Sequence, residues 1–196
     1  MTYHVHLPWL AQGAVHPSQV VDGGRVVNVA RLYMPTVINA DPPAQGQADL
    51  CGMTQVEYEL YSLIVDDPRQ ERGDLVCDER LVRAAQDKAK AVAQQGRISH
   101  TVDGVSANRN VENHGYRLPK WYGQGPDANN VESLAAGYFT PATVLEGWRG
   151  SESHRKHIFG EGDFYAGQSR IGVGHVYHVA PNGLAHWWVV LTAHKE

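Results

Sequence analysis

Cysteine is scarce in this 196-residue chain, which has only Cys51 and Cys77. Two thiols cannot supply the ligands of a zinc finger, and 25 intervening residues is not metal-ligand spacing. They can close one disulfide around the segment between them, worth about 3 kcal/mol on a chain-entropy account, or they can stay two buried thiols. A basic excess is also missing. Seventeen Lys and Arg against 21 Asp and Glu give a net charge of −4, which offers nucleic acid no basic patch. No apolar run approaches bilayer length, so no transmembrane segment is expected. The opening MTYHVHLPWLAQGA lacks the basic and then apolar regions of a signal peptide. Neither H-E-x-x-H nor G-x-S-x-G occurs, so the helical zinc-protease pair and the nucleophile elbow are both excluded. The chain does have 42% hydrophobic and 19% charged residues, enough apolar surface for a globular core. Its length suits one domain with an appendage, or two small domains.

The character of the chain changes near residue 50. Residues 1–50 are rich in Val, Pro, Gly and Ala and poor in charge. Within them HVHLPWL and GRVVNVARLYMPTVI read as strands, which their prolines confine to edges or strand ends, and NADPPAQGQAD reads as a linker. A pair of strands is marginal in water on its own. This β-rich arm is therefore expected to pack on the main domain, residues 51–196, or on a protein partner.

From Thr54 onward the period is helical. Thr54 and Glu57 have capping-box spacing, Val56, Leu60, Leu63 and Ile64 follow on one face, and Asp66-Asp67-Pro68 stops the helix. Asp78 caps a second helix with a buried stripe of Leu81, Val82, Ala85, Ala89, Val92 and Ala93. Gly96 ends it, and His100 projects just beyond. A third helix is predicted over Ala107–Asn113. Thr140-Pro141 starts another, through Val144, Leu145 and Trp148. RIGVGHVYHVA and LAHWWVVLTAH, separated by PNG, form a hairpin. Helices first and a terminal hairpin last predict an α+β fold, with helices over an antiparallel sheet.

Candidate chemistry centres on His100, Glu132 and His154, in the stretches RISHTVDG, NNVESLAAGY and GWRGSESHRKHIFG. A neutral imidazole offers a lone pair to a divalent metal. A carboxylate beside it fixes the tautomer or activates a water. The two histidines are 54 residues apart, so only the fold can bring them together. Without that, each is a hydrogen-bonded structural group.

The order of segments resembles the CAP superfamily (cysteine-rich secretory, antigen 5 and pathogenesis-related proteins) in its bacterial SCP-like form. The resemblance covers residues 53–193. It runs through TQVEYELYSLIVDDPRQ, DERLVRAAQDKAKAVAQQGRISH, NRNVENHGY, VESLAAG, WRGSESHR and RIGVGHVY. It implies an α-β-α sandwich and a secreted or cell-surface protein, and so favours the disulfide, since oxidising compartments permit one. It implies that His100 and His154 face each other across a cleft that in some members binds zinc, with Glu132 beside them. The flanking Gly and Asn of the family's G-E-N element are here Val131 and Ser133. The family's second acid falls at Ser151, with Glu152 one position on. Adjacent helical positions diverge by about 100°, so the expectation is Ser151 at the cleft and Glu152 in solvent. The implied activities are a metal-assisted hydrolase, or instead a non-catalytic surface module for a lipid, sterol, peptide or protein.

Other polar residues have blander readings. His157 follows Arg155-Lys156 on what reads as a solvated face. Glu112 is either a further cleft acid or a buried acid on backbone amides, and His114, beside Gly115-Tyr116, is either a cleft neighbour or a structural group. His175 and His178, three apart on a strand, face opposite sides. Trp187 and Trp188 should place one ring inside and one outside.

Overall fold

The computed structural model describes residues 50–196. The expected strands and linker of the N-terminal arm lie outside the described residues. The described part runs α1 (Gln55–Val65), β1 (Val76–Cys77), α2 (Glu79–Gln95), α3 (Ala107–Asn113), β2 (Glu132–Ala136), α4 (Pro141–Arg149), α5 (Glu152–Phe159), α6 (Asp163–Ala166), β3 (Arg170–Val176) and β4 (Trp187–Ala193), with a 3-10 turn at Lys120–Tyr122.

Local signals in the sequence set most helix ends. Thr54 and Glu57 form a reciprocal capping box at α1. Asp78 caps α2, and Gly96 ends it at φ 65°, in the left-handed region that suits glycine. Thr140 caps α4 with Pro141 at its first position. The α1 stripe differs from expectation. Leu60 and Ile64 are buried, but Leu63 is exposed and Glu57 lies inside. Glu57 is held there by the backbone N–H of Thr54 and His175 and by the Gln86 amide.

The sheet order is β1-β3-β4-β2. β3–β4 and β4–β2 are antiparallel, but β1 runs parallel to β3, so the sheet is mixed and not wholly antiparallel. Parallel neighbours need a long crossover, and almost the whole helical region lies between β1 and β3. β2 and β1 were not legible as strands. ESLAA is short, and nearly all of it is buried, so it shows no polar alternation.

Side-chain alternation along β4 divides the core. Trp187, Val189, Leu191 and Ala193 pack with α2 and α3. Trp188 and Val190 pack with α1, α4 and α5. Trp187 and Trp188 do point to opposite faces, yet both are fully buried, because helices cover both sides of the sheet. Neither of these indoles stands free to stack on a ligand. The hairpin is shorter than expected, since β3 ends at Val176 and β4 begins at Trp187. His178 therefore sits past the strand, where strand parity does not apply to it. Cys51 and Cys77 form a disulfide, Cα–Cα 6.5 Å, tying the approach to α1 to the sheet edge. Among the described residues no helix is long and apolar enough to cross a membrane.

Candidate functional site

His100, Glu132 and His154 line one cavity of about 110 Å³, with Asn129, Asn130, Ser133, Ser153, His157 and Tyr165. Each arrives on a different element. His100 follows the turn that ends α2, Glu132 opens β2, and His154 lies in the first turns of α5. Lys88 of α2 donates to the His100 carbonyl at 2.6 Å, fixing the backbone that carries the ring. Asn129 uses its side-chain oxygen to accept the Glu132 N–H at 3.0 Å, while its amide nitrogen lies 2.9 Å from His100 Nδ1.

Glu132 Oε1 lies 2.9 Å from His100 Nδ1 and 3.8 Å from Lys88 Nζ. The Glu132 and Lys88 side chains are almost completely buried, whereas His100 is 45% exposed. Burial raises the Glu132 carboxyl above its ordinary range, against the pull of His100 and Lys88. Burial lowers the Lys88 ammonium, and Glu132 opposes that shift. A carboxylate on Nδ1–H leaves the His100 Nε2 lone pair for the cavity. Glu132 Oε2 is buried and has no hydrogen-bond partner.

Ser151 occupies the N-cap position of α5 without a side-chain capping bond, and its hydroxyl lies 2.9 Å from His154 Nδ1 instead. It is not among the residues lining this cavity, whereas Ser153 is; Ser151 lines the adjoining pocket with Ser153 and Tyr165 and touches the His154 ring. Glu152 points to solvent, as expected, and pairs with Lys156. Burial, and then the nearby His100, lower the His154 pKa and keep its ring neutral with a usable lone pair. Neither His100 Nε2 nor His154 Nε2 makes a hydrogen bond to a described residue.

His157 overturns the solvated-face reading, for it is 4% exposed and has both nitrogens engaged. Its tautomer can be deduced from its neighbours. Gln168 Nε2 donates to Asn130 O and to the Tyr122 hydroxyl, so Gln168 Oε1 is the acceptor for Thr192. Thr192 must then accept from His157 Nε2–H at 2.8 Å, and His157 Nδ1 accepts from Ser133 Oγ at 2.7 Å. With no free lone pair, His157 is a wall of the cavity and not a ligand. His114 is elsewhere, bonded to Asn110 O and Asp87. Glu112 pairs with Arg109 and Gln124 and not with backbone amides.

Sequence reasoning missed Lys88, Asn129, Asn130, Ser133, Ser153 and Tyr165. Only Lys88 carried a signal, since it falls on the buried stripe of α2 beside Ala84, Ala85 and Ala89. Lys88→Met should leave the Glu132 carboxylate buried and uncompensated. It is expected to cost about 2 kcal/mol in urea unfolding, below the range for a closely bonded buried pair, because the ions stand 3.8 Å apart. Lys88→Met with Glu132→Gln should recover most of that loss. A double variant no more stable than Lys88→Met alone would show that the pairing does not matter.

No protein-family model matches the chain, and no curated protein does. Solved structures do. An outer surface protein from Borrelia burgdorferi aligns at TM-score 0.50 and 19% identity, over 70% of this chain and 91% of that one. An extracellular protein containing an SCP domain, from Bacillus anthracis strain Ames, aligns at TM-score 0.54 and 19% identity. That match covers 77% of this chain and 45% of the other. The fold is therefore SCP-like: an α+β domain with helices on both faces of a four-stranded sheet.

Proposed function

We propose that this chain is an extracytoplasmic, surface or secreted SCP-like module whose cavity binds a divalent cation, zinc, through Nε2 of His100 and of His154. One observation carries this reading. Both rings line one cavity, and each has Nδ1 committed, His100 to Glu132 and His154 to Ser151, with Nε2 left over. Among the described residues no group of three His, Cys, Asp or Glu side chains is set to hold an ion. The site accordingly has two protein nitrogens and is completed by water, which makes it an open and modest site. The Glu132 carboxyl, bonded to His100 Nδ1, stands directly behind that ring. Bound in this cavity, zinc offers a Lewis acid and a more acidic water. This chain's own part is to orient both rings, through Glu132 and Ser151, and to hold the Nδ1 proton of His100.

Zinc titration calorimetry tests the reading. His154→Ala should remove one equivalent from the wild-type stoichiometry. Glu132→Gln should keep that equivalent but weaken it about 10- to 100-fold, the effect typical of losing a carboxylate behind a ligand histidine. Equal stoichiometry in wild type and His154→Ala overturns the proposal.

A further inference from the structure

A second histidine pair sits on the β3–β4 hairpin. His175 Nε2 and His186 Nδ1 stand 3.2 Å apart. Zinc held tetrahedrally at about 2.0–2.1 Å from each nitrogen places two such ligands about 3.3 Å apart, so the pair already has the spacing of two donors on one ion. The rings are nearly parallel, 22° between planes, and His186 is partly exposed.

The pair is held from several sides. The His175 ring packs on Trp188 at 4.0 Å, and its backbone N–H donates to Glu57 Oε1 at 2.7 Å. His186 is held at φ 56°, a left-handed conformation uncommon outside glycine, and strained backbone of this kind concentrates at functional positions. The rings of Phe139 and Tyr177, both well exposed, lie against His186 at 5.4 and 4.9 Å and shield one side from water.

A third observation concerns charge. Glu57 is 1% exposed and forms no ion pair with any described residue. Its acceptors are filled by two backbone N–H groups and one amide. The carboxylate lies directly behind His175, whose backbone N–H donates to it.

We infer that His175 and His186 form a second, surface zinc site, distinct from the His100–His154 cavity, with water filling the remaining positions. In the metal-free pair one ring N–H bridges the two nitrogens. On binding, that proton moves to the other nitrogen of its own ring, and both facing lone pairs go to the ion.

The test uses the full chain carrying His100→Ala and His154→Ala, so that the cavity cannot contribute. Zinc titration of this protein should still show one equivalent. Adding His186→Asn, which tolerates a left-handed φ, should abolish that equivalent while leaving the thermal midpoint unchanged. In ¹⁵N spectra of the His100→Ala/His154→Ala protein, zinc should shift His175 Nε2 and His186 Nδ1. A cavity variant that binds no zinc, or one whose zinc survives His186→Asn, overturns the proposal. Neither result bears on the cavity, which His154→Ala tests separately.

Discussion

Gly174→Ala is expected to destabilise the domain by at least about 3 kcal/mol, the upper end of ordinary overpacking, and to lower Tm by about 6–12 °C for a domain of this size. A Cβ at position 174 would sit 2.2 Å from the Ala85 carbonyl carbon and 2.3 Å from its oxygen. A Cβ at Gly172 would sit 2.2 Å from the Leu81 carbonyl carbon. Both obstacles are α2 backbone, which cannot swing aside as a side chain can. The two glycines let α2 lie directly on β3, and neither needs the left-handed region, so their role is close approach. To accept the methyl group the whole helix must lift, loosening the side chains of Leu81, Ala85 and Ala89 from the sheet. Gly183→Ala, at the hairpin tip with open space around it but φ 81°, is the control for backbone strain without a clash. Chemical denaturation of the three proteins decides it. A Gly174→Ala protein as stable as wild type would mean that α2 does not sit where it is described.

This close contact also shows what could be read from the chain alone. The helices were legible because their ends carry local chemistry: the capping box at Thr54, the Asp78 cap, Gly96, and the Thr140-Pro141 start. These signals act over one turn and need no knowledge of the rest of the fold. The RIGVG run was legible as a strand, but its glycines gain meaning only once a helix lies across them. β1 and β2 escaped notice for a related reason. The first has two residues, and the second is buried on both faces, so neither shows a period. The mixed sheet and the double burial of Trp187 and Trp188 follow from three layers, which depend on how remote segments pack.

The site divides in the same way. That His100, Glu132 and His154 come together rested on the order of segments, and the shared cavity agrees with it. The finer details were beyond sequence. That Glu152 faces solvent was legible, but that Ser153 rather than Ser151 lines this cavity depends on how an eight-residue helix begins. Arg155-Lys156 made the His157 face look solvated, yet one helical step turns that ring onto Ser133 and Thr192. His175 had a visible neighbour in His178, but the hairpin sets it opposite Trp188 and so beside His186, two residues earlier.

His157 carries the second large effect, an acid sensitivity. Burial, reinforced by the nearby Arg72 cation, pushes its pKa down to about 3 from 6.5. The ring thus stays neutral in the fold over a range in which the unfolded chain would charge it. Unfolding in that range takes up a proton and becomes easier as the pH falls. The stabilisation is complete above about pH 6.5 and is lost at about 1.4 kcal/mol per pH unit down to about pH 3. Between pH 7 and 4.5 this histidine alone should remove about 2.5 kcal/mol. His154 and His175, also lowered by burial, act in the same direction. Glu132 acts in the opposite one, because its raised carboxyl favours the fold when protonated. His157→Gln keeps a polar group between Ser133 and Thr192 but cannot titrate. Its stability at pH 7 should fall, while its loss between pH 7 and 4.5 should be smaller than that of wild type by about 2.5 kcal/mol. Urea unfolding at the two pH values measures both quantities. An unchanged pH slope in His157→Gln would mean that the ring already accepts its proton within the folded protein, and the hydrogen-bond chain from Gln168 through Thr192 to Ser133 would then have to run differently.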